Sequence, residues 1–207
     1  MDCPYQSNAF CGRLTAQQRA VLCNGHCHLR TYGKDQRMSY RYWENTVAIL
    51  LDGLMIFGEF DQKGKYATIQ MGGPGALISS GDLIDIWHES YSDCEALCIL
   101  PCTMAVLDKE VAQKLFDTDI DFAKQVYHSM YVSAMESYQA LKSIGSRSAV
   151  EAVRYVLTWC RRNGIAEPTH EVIAMLCNRS RPTVTVAIHE LLMSHPELFT
   201  GEYQEEI

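Results

Sequence analysis

The chain predicts an α+β protein in which strands come first and helices last. Three observations lead there. Between Thr46 and Ser80, short apolar runs are cut by Asp52-Gly53, Lys63-Gly64 and Gly72-Gly73-Pro74-Gly75, which are turn signals at hairpin spacing. From about Lys109 onward the apolar residues recur at helical period. Near the C-terminus two short helical patterns each follow a hydroxyl residue able to cap them.

The bulk numbers agree with a folded domain. The chain has 207 residues, 47% hydrophobic and 21% charged, which is ordinary globular composition and enough for one large domain or two small ones. No run approaches the roughly eighteen apolar residues of a membrane span, so no membrane partner is expected. The start, "MDCPYQSNAFCGR", lacks the basic and apolar regions of a secretory signal. A cytoplasmic location follows as an expectation, with the nine cysteines mostly reduced thiols. The net charge of −7 argues mildly against nucleic acid, whose phosphates are met by Lys and Arg, unless a local surface is basic.

Taken in order, residues 1–45 are polar, aromatic and cysteine-rich, with too weak a period to assign an element. Three or four short antiparallel strands fill the next stretch, and "LCILPCTMAVLD" reads as one more. Ile120, Ala123, Tyr127, Met130, Ala134, Ser137, Leu141 and Ile144 then fall on a 3-4-3-4 seam, as in a helix packing on a parallel partner. A plain amphipathic helix on its own core fits the same spacing. Ile144-Gly145-Ser146 reads as a hinge. "SAVEAVRYVLTWCRRNG" is a second helix with a glycine stop, and Thr169 caps a third, with Val172, Ile173 and Leu176 apolar beyond it.

The last helical stretch, "LCNRSRPTVTVAIHELL", has a β-like middle by propensity. Val184, Ala187, Ile188 and Leu191 nevertheless form one helical face. Ser180 supplies a cap, and Pro182 sits in the first turn, where a missing N–H is harmless. These outweigh β-branched residues that each cost only about a few tenths of a kcal/mol. Two helices joined by Cys177-Asn178-Arg179 make a helix-turn-helix, with Asn178 in the turn position that favours a left-handed backbone. On the face opposite the apolar one, the spacing exposes Arg179, Ser180, Arg181, Thr183, Thr185 and His189.

The order of these elements, with Asp52-Gly53, Phe60-Asp61-Gln62-Lys63-Gly64, Pro74-Gly75 and "PTHEVIAMLCNRSRPTVTVAIHEL", resembles the cyclic-AMP receptor protein / fumarate-nitrate reduction regulator (CRP/FNR) family over roughly Thr46 to Leu192. The resemblance implies a cyclic-nucleotide-binding-like double-stranded β-roll, a long dimerisation helix and a winged-helix-like C-terminal helix-turn-helix. It implies an effector-sensing domain over 1–108, a dimerisation helix and hinge over 109–145, and a DNA-binding domain over 146–207. It implies a homodimeric transcription regulator, not an enzyme, acting on a palindromic operator of double-stranded DNA with RNA polymerase as a further partner. Thr169, Arg179, Ser180, Arg181, Thr183, Thr185 and His189 are then the candidate DNA-binding residues. The sequence departs from the family at two places on the reading helix: Pro182 stands for a glutamate and Val186 for an arginine. The ending, "MSHPELFTGEYQEEI", is short and acidic, so the wing is short or absent.

For the effector, the resemblance places a pocket around Gly81, Asp82, Trp87, His88, Tyr127 and Met130. Gly81-Asp82-Leu83 looks like a degenerate version of the Gly-Glu-Leu that, with a following Arg-Ser/Thr, holds ribose and phosphate in cyclic-nucleotide-binding members, but the Arg-Ser/Thr is missing: no Arg occurs between Arg41 and Arg147 and no Lys between Lys65 and Lys109. A buried phosphate needs a cation or a cradle of N–H groups, so a cyclic nucleotide is not expected. Other small molecules, thiol redox chemistry, haem at His88 and an iron–sulfur cluster stay open. "CNGHCH" supplies Cys23, His26, Cys27 and His28 as metal-type ligands, although Ala105 occupies the aligned position of the distal cluster cysteine. Cys94, Cys98 and Cys102 read most simply as small apolar residues of the roll core. No catalytic triad, phosphate loop or paired-carboxylate site is legible; Ser79, Asp82 and His88 have no partner in the sequence. A rival from another class is an effector- or partner-binding protein without DNA binding, motivated by the acidic tail and the missing arginine.

Overall fold

The computed structural model describes residues 4–39, 42, 46–60, 66–80, 83, 94–145, 148–165 and 168–199. Among them are strands β1 (Cys27–Tyr32), β2 (Arg37–Ser39), β3 (Val47–Asp52), β4 (Met55–Phe60), β5 (Tyr66–Gly72), β6 (Leu77–Ser80), β7 (Glu95–Cys98) and β8 (Cys102–Leu107). The helices are α1 (Ala16–Leu22), α2 (Lys109–Thr118), α3 (Ile120–Ala140), α4 (Ala149–Arg162), α5 (His170–Leu176) and α6 (Arg181–Ser194). The strands make two antiparallel sheets, ordered β1-β8-β3-β6 and β2-β7-β4-β5. The fold class is α+β, a double-stranded roll followed by helices, as the sequence predicts.

At β3 and β4 the roll is covered on both faces, which explains their near-continuous apolar runs. In β3, Ala48 and Leu50 point between the sheets, beside Met55, Phe57 and Met104. Val47, Ile49 and Leu51 point the other way, onto Phe10, Leu22, Phe122 and Val126 of the N-terminal segment and of α1 and α3. Strand β4 repeats the pattern: Met55 and Phe57 face the first sheet, while Ile56 packs with Trp159, Val172 and Leu176 of the C-terminal helices. A strand buried on both faces carries no polar alternation. The order of layers is therefore N-terminal helices, first sheet, second sheet, C-terminal helices.

Residues 4–39 hold more structure than their composition suggests. Asn8 is buried and donates from Nδ2 to Leu50 O (3.2 Å) and Leu51 O (3.3 Å), while its Oδ1 accepts from Phe10 N (3.0 Å). This staples the segment to β3 and drops Phe10 into the core. Thr15 and Gln18 form a reciprocal cap on α1. Each signal is a single polar side chain, which a search for periodicity cannot register.

"LCILPCTMAVLD" is two strands, not one. β7 pairs with β2 and β4, whereas β8 pairs with β1 and β3. The chain crosses between sheets at Ile99-Leu100-Pro101, because Pro101 has no N–H to offer a ladder. Cys94, Cys98 and Cys102 are buried between the sheets, in the apolar role expected of them.

The helical run from Lys109 also divides. Asp119 leaves the helix and caps α3, accepting from Asp121 N (3.0 Å) and Phe122 N (3.1 Å). It also accepts from Gln18 Nε2 (2.9 Å), and these bonds, Gln18 first, hold its carboxyl below the usual range. The predicted seam is corrected in part. Ala123 and Ile144 are buried in the chain's own core, and Met130 packs on the cluster beneath the first sheet. The row left in solvent is Ile120, Tyr127, Tyr131, Ala134, Tyr138 and Leu141, with Ile120 67% and Tyr131 65% exposed. α3 ends in a π-helical turn, Leu141–Gly145, at the predicted hinge. Among the described residues no helix is long and apolar enough to cross a membrane.

Gly53, in the β3–β4 turn, has φ +97°, and a Cβ there would lie 2.2 Å from Pro101 O. Gly53→Ala is expected to destabilise the protein by about 2 kcal/mol or more, through left-handed strain plus that overlap. Urea unfolding followed by tryptophan fluorescence measures it; an unchanged midpoint refutes the reading.

Candidate nucleic-acid interface

The C-terminal helices build outward from their caps. Ser148 and Glu151 form a capping box on α4. Thr169 Oγ1 accepts from Val172 N (3.3 Å) at the start of α5, and Ser180 Oγ accepts from Thr183 N (3.3 Å) at the start of α6. α5 ends in a Schellman motif: Arg179 N donates to Ala174 O (3.0 Å) and Asn178 N to Met175 O (3.3 Å). Asn178 takes the left-handed position at φ +52°, as its place in the turn predicts. Val184, Ala187, Ile188 and Leu191 are all buried, so α6 packs on the expected face.

Asn178 has a second task that its position in the sequence does not reveal. Its Oδ1 accepts from Thr68 N (2.9 Å), and its Nδ2 donates to Thr68 O (2.9 Å). Thr68 lies on β5, which is an edge strand of its sheet and pairs only with β4 on its other side. The side-chain amide therefore completes the open edge as a further strand would. Thr68 Oγ1 adds a bond to Met175 O (3.0 Å). Close by, a Cβ at Gly73 would lie 2.6 Å from Asn163 Oδ1, so the β5–β6 turn abuts the end of α4.

The predicted DNA-binding residues fall into separate groups. Ser180, Arg181, Thr183 and His189 are exposed on α6, and Thr169 is exposed at the start of α5. Arg179 is turned away from them: its Nη2 donates to Ile144 O (2.8 Å), at the end of the long helix. Thr185 is half-buried; its hydroxyl donates to Arg181 O (3.1 Å) and meets His170 Nδ1 at 3.0 Å. The centre of the outward face lies elsewhere. At about 100° per residue, Pro182, Val186, His189 and Met193 stand opposite the buried face, with Arg181 and Thr183 on its two flanks. Val186 is 67% and Met193 87% exposed. No strand follows α6 among the described residues, which end with a 3-10 turn at Pro196–Leu198.

Of the predicted effector residues, Gly81, Asp82, Trp87 and His88 lie outside the described residues. A cleft of about 590 Å³ opens between β4–β6 and α3. Met130 lines it; Tyr127 does not, and its ring instead sits tilted against Phe116 with centroids 5.5 Å apart. Phe57, Ile78 and Tyr138 supply apolar wall, and Ser79, Ser133 and Ser137 supply hydroxyls. Glu59 is the one charged side chain among the described lining residues. Burial pushes the Cys94 thiol on its wall upward, so it stays protonated near neutrality. A larger cleft, about 740 Å³, lies between α3 and α4 with Glu136, Arg154 and Arg162 on its walls.

The four residues of "CNGHCH" do not converge. Cys23 caps the end of α1 in solvent, His26 pairs with Asp108 (3.5 Å), and Cys27 and His28 are adjacent on β1, hence on opposite faces. Among the described residues no group of three or more His, Cys, Asp or Glu side chains is placed to hold a metal ion. The residues present do not fit a cluster at that motif.

No protein-family model matches the chain, and no curated protein matches it by sequence. Solved structures do match. FixK2 from Bradyrhizobium japonicum superposes with TM-score 0.63 at 16% identity, covering 81% of this chain and 85% of its own. A CRP/FNR-family transcriptional regulator from Eubacterium rectale gives TM-score 0.63 at 11% identity, over 90% of this chain and 87% of that one. The chain has the fold of the CRP/FNR regulators. A cyclic nucleotide-binding domain protein from Listeria monocytogenes is similar too, with TM-score 0.62, 11% identity, and coverage of 82% and 83%. At these identities the likeness is one of fold, and the roll, long helix and helix-turn-helix match in order.

Asn178 separates turn geometry from docking. Asn178→Gly keeps the left-handed turn and loses the Thr68 bonds, an expected loss of about 1–3 kcal/mol. Asn178→Ala should lose about 1 kcal/mol more, from the strained φ. In both, amide exchange at Thr68 should accelerate; protection equal to wild type would show that the bridge does not form in solution.

Proposed function

We propose that the protein is a homodimeric, DNA-binding transcription regulator, with a sensing roll over 1–108, a dimer helix and hinge over 109–145 and a DNA-reading segment over 146–207. The observation that carries the proposal is the state of α6. Its inner face is wholly buried while its capped start, Ser180-Arg181-Pro182-Thr183, stands exposed on the fold of known regulators. A helix N-terminus offers free N–H groups and a positive dipole end to phosphate. Arg181 is within reach of a base edge, where a bidentate contact to guanine is the commonest specific pairing. Arg179, tied to Ile144 O, acts as a strut between this helix and the hinge.

Dimerisation is supported by the solvent-facing row of Ile120, Tyr127, Tyr131, Ala134, Tyr138 and Leu141 on α3. Its spacings of seven, four and three suit a parallel two-helix contact, and so much aromatic and aliphatic surface on one stripe is an interface signature. In such a dimer the two copies of α6 would meet half-sites about one helical turn of DNA apart. The cleft between roll and α3 suits a small neutral or cationic effector. Its described walls hold serine hydroxyls and one carboxylate but no cation for a phosphate. An effector bound there touches the end of α3 at Tyr138 and the first residue of the π-helical turn, Leu141, so it can bias how the C-terminal helices are arranged about that turn.

Three measurements test the reading. Wild type should sediment as a dimer at micromolar concentration and Tyr138→Asp as a monomer, since the aspartate would lose water at the seam without a partner; a monomeric wild type overturns the dimer. In a selection from random duplexes, an enriched operator should emerge. Arg181→Ala should then bind it about 1–3 kcal/mol more weakly and discriminate less against scrambled duplex; an unchanged operator-to-scrambled ratio overturns the role of Arg181. Calorimetry with cyclic AMP should give no micromolar binding, and a micromolar affinity would overturn the effector reading.

A further inference from the structure

The outward stripe of α6 is apolar where a polyanion-binding helix is ordinarily polar. Pro182 and Val186 stand one turn apart at its centre, and His189 follows on the same line. Val186, 67% exposed, makes no contribution to the buried face formed by Val184, Ala187, Ile188 and Leu191. It is also a poorer helix former than alanine or arginine. Fold stability therefore gives no reason for a valine there. A bound partner can give one, if it presents an apolar group to this stripe.

We infer that Val186, backed by the Pro182 ring, reads thymine by its 5-methyl group. The inference rests on the DNA-binding reading of α6 and adds the base it selects. Charge favours this occupant. The first two turns of α6 carry Arg181 as their one charged side chain, and Glu190 is the first carboxylate of the helix. The major groove admits a single helix, and the thymine methyl is its one apolar base-edge group. Val186 lies ~6 Å along the axis from Pro182, about two base-pair steps at most, so both can meet consecutive positions of one strand. Met193 lies ~10 Å further on, in the last turn, outside the reach of a helix that enters the groove by its start.

The test uses the full chain and the operator enriched from random duplexes. Each thymine is replaced in turn by deoxyuridine, which removes only the methyl. At one or two positions of each half-site, binding should weaken about three- to fivefold, the effect of one buried methyl. Val186→Asn, at an exposed position that leaves the core face intact, replaces both valine methyls by a polar amide and should bind the thymine and uracil operators equally. An operator that binds tightly yet tolerates uracil everywhere would overturn the inference and leave the DNA reading standing, as would a Val186→Asn protein that still discriminates. If no duplex is enriched and no salt-dependent binding is seen, the DNA reading fails and the inference falls with it; the stripe would then belong to a protein partner.

Discussion

The bridge between Asn178 and Thr68 is the joint on which the rest of the architecture turns. An edge strand presents unpaired N–H and C=O groups, and burying them unpaired costs about 1–3 kcal/mol each. Here one asparagine meets both groups of Thr68 while supplying the left-handed residue that ends α5. The same side chain therefore fixes where α6 starts and where the helix-turn-helix sits on the roll. Around it the apolar contact is continuous, from Ile56 and Met71 of the second sheet to Val156, Trp159 and Leu176 of the C-terminal helices. The polar pair gives register to a surface whose energy is mainly hydrophobic.

A continuous core across the second sheet and the C-terminal helices makes the coupling in the proposed function physically direct. The long helix touches the roll through Gln70 and Ser133, touches α4 through Tyr155 and Glu136 O (3.2 Å), and holds Arg179 at Ile144 O (2.8 Å). A change of packing in the cleft thus has few places to go. Leu141 joins the cleft to the π-helical turn at Leu141–Gly145, where the backbone holds more residues per turn than a regular α-helix. Arg179 then links that turn to the start of α6. A shift between two packings of these contacts is the kind of two-state element through which an effector can act.

The apolar stripe of α6 and the acidic balance of the chain fit together on this view. A chain with net charge −7 has little general attraction for DNA to draw on. Selectivity then has to come from fit in the groove, and methyl contacts add fit without adding charge. Arg181 and the start of α6, which has no carboxylate in its first turn, are the positive features that this side of the helix offers.

Much of this was determined by sequence alone, because it depends on near neighbours. The caps at Thr169 and Ser180, the left-handed turn at Asn178, the buried face of α6 and the turn at Gly53 follow from a few adjacent residues and the helical or strand period. The likeness to the regulator fold was legible for the same reason, as an order of local elements. The sequence could not tell which face of α3 is covered, since Ala123, Met130 and Ile144 keep the same spacing whether the partner is the chain's own roll or a second copy. Nor could it tell that Arg179 is engaged by Ile144 O, that Asn8 pins the N-terminal segment to β3, or that "LCILPCTMAVLD" crosses from one sheet to the other. Those outcomes depend on groups brought from 35 to 43 residues away, or on which sheet edge lies open. Only the packed chain decides them, because long-range contacts carry no periodic trace in the residues that make them.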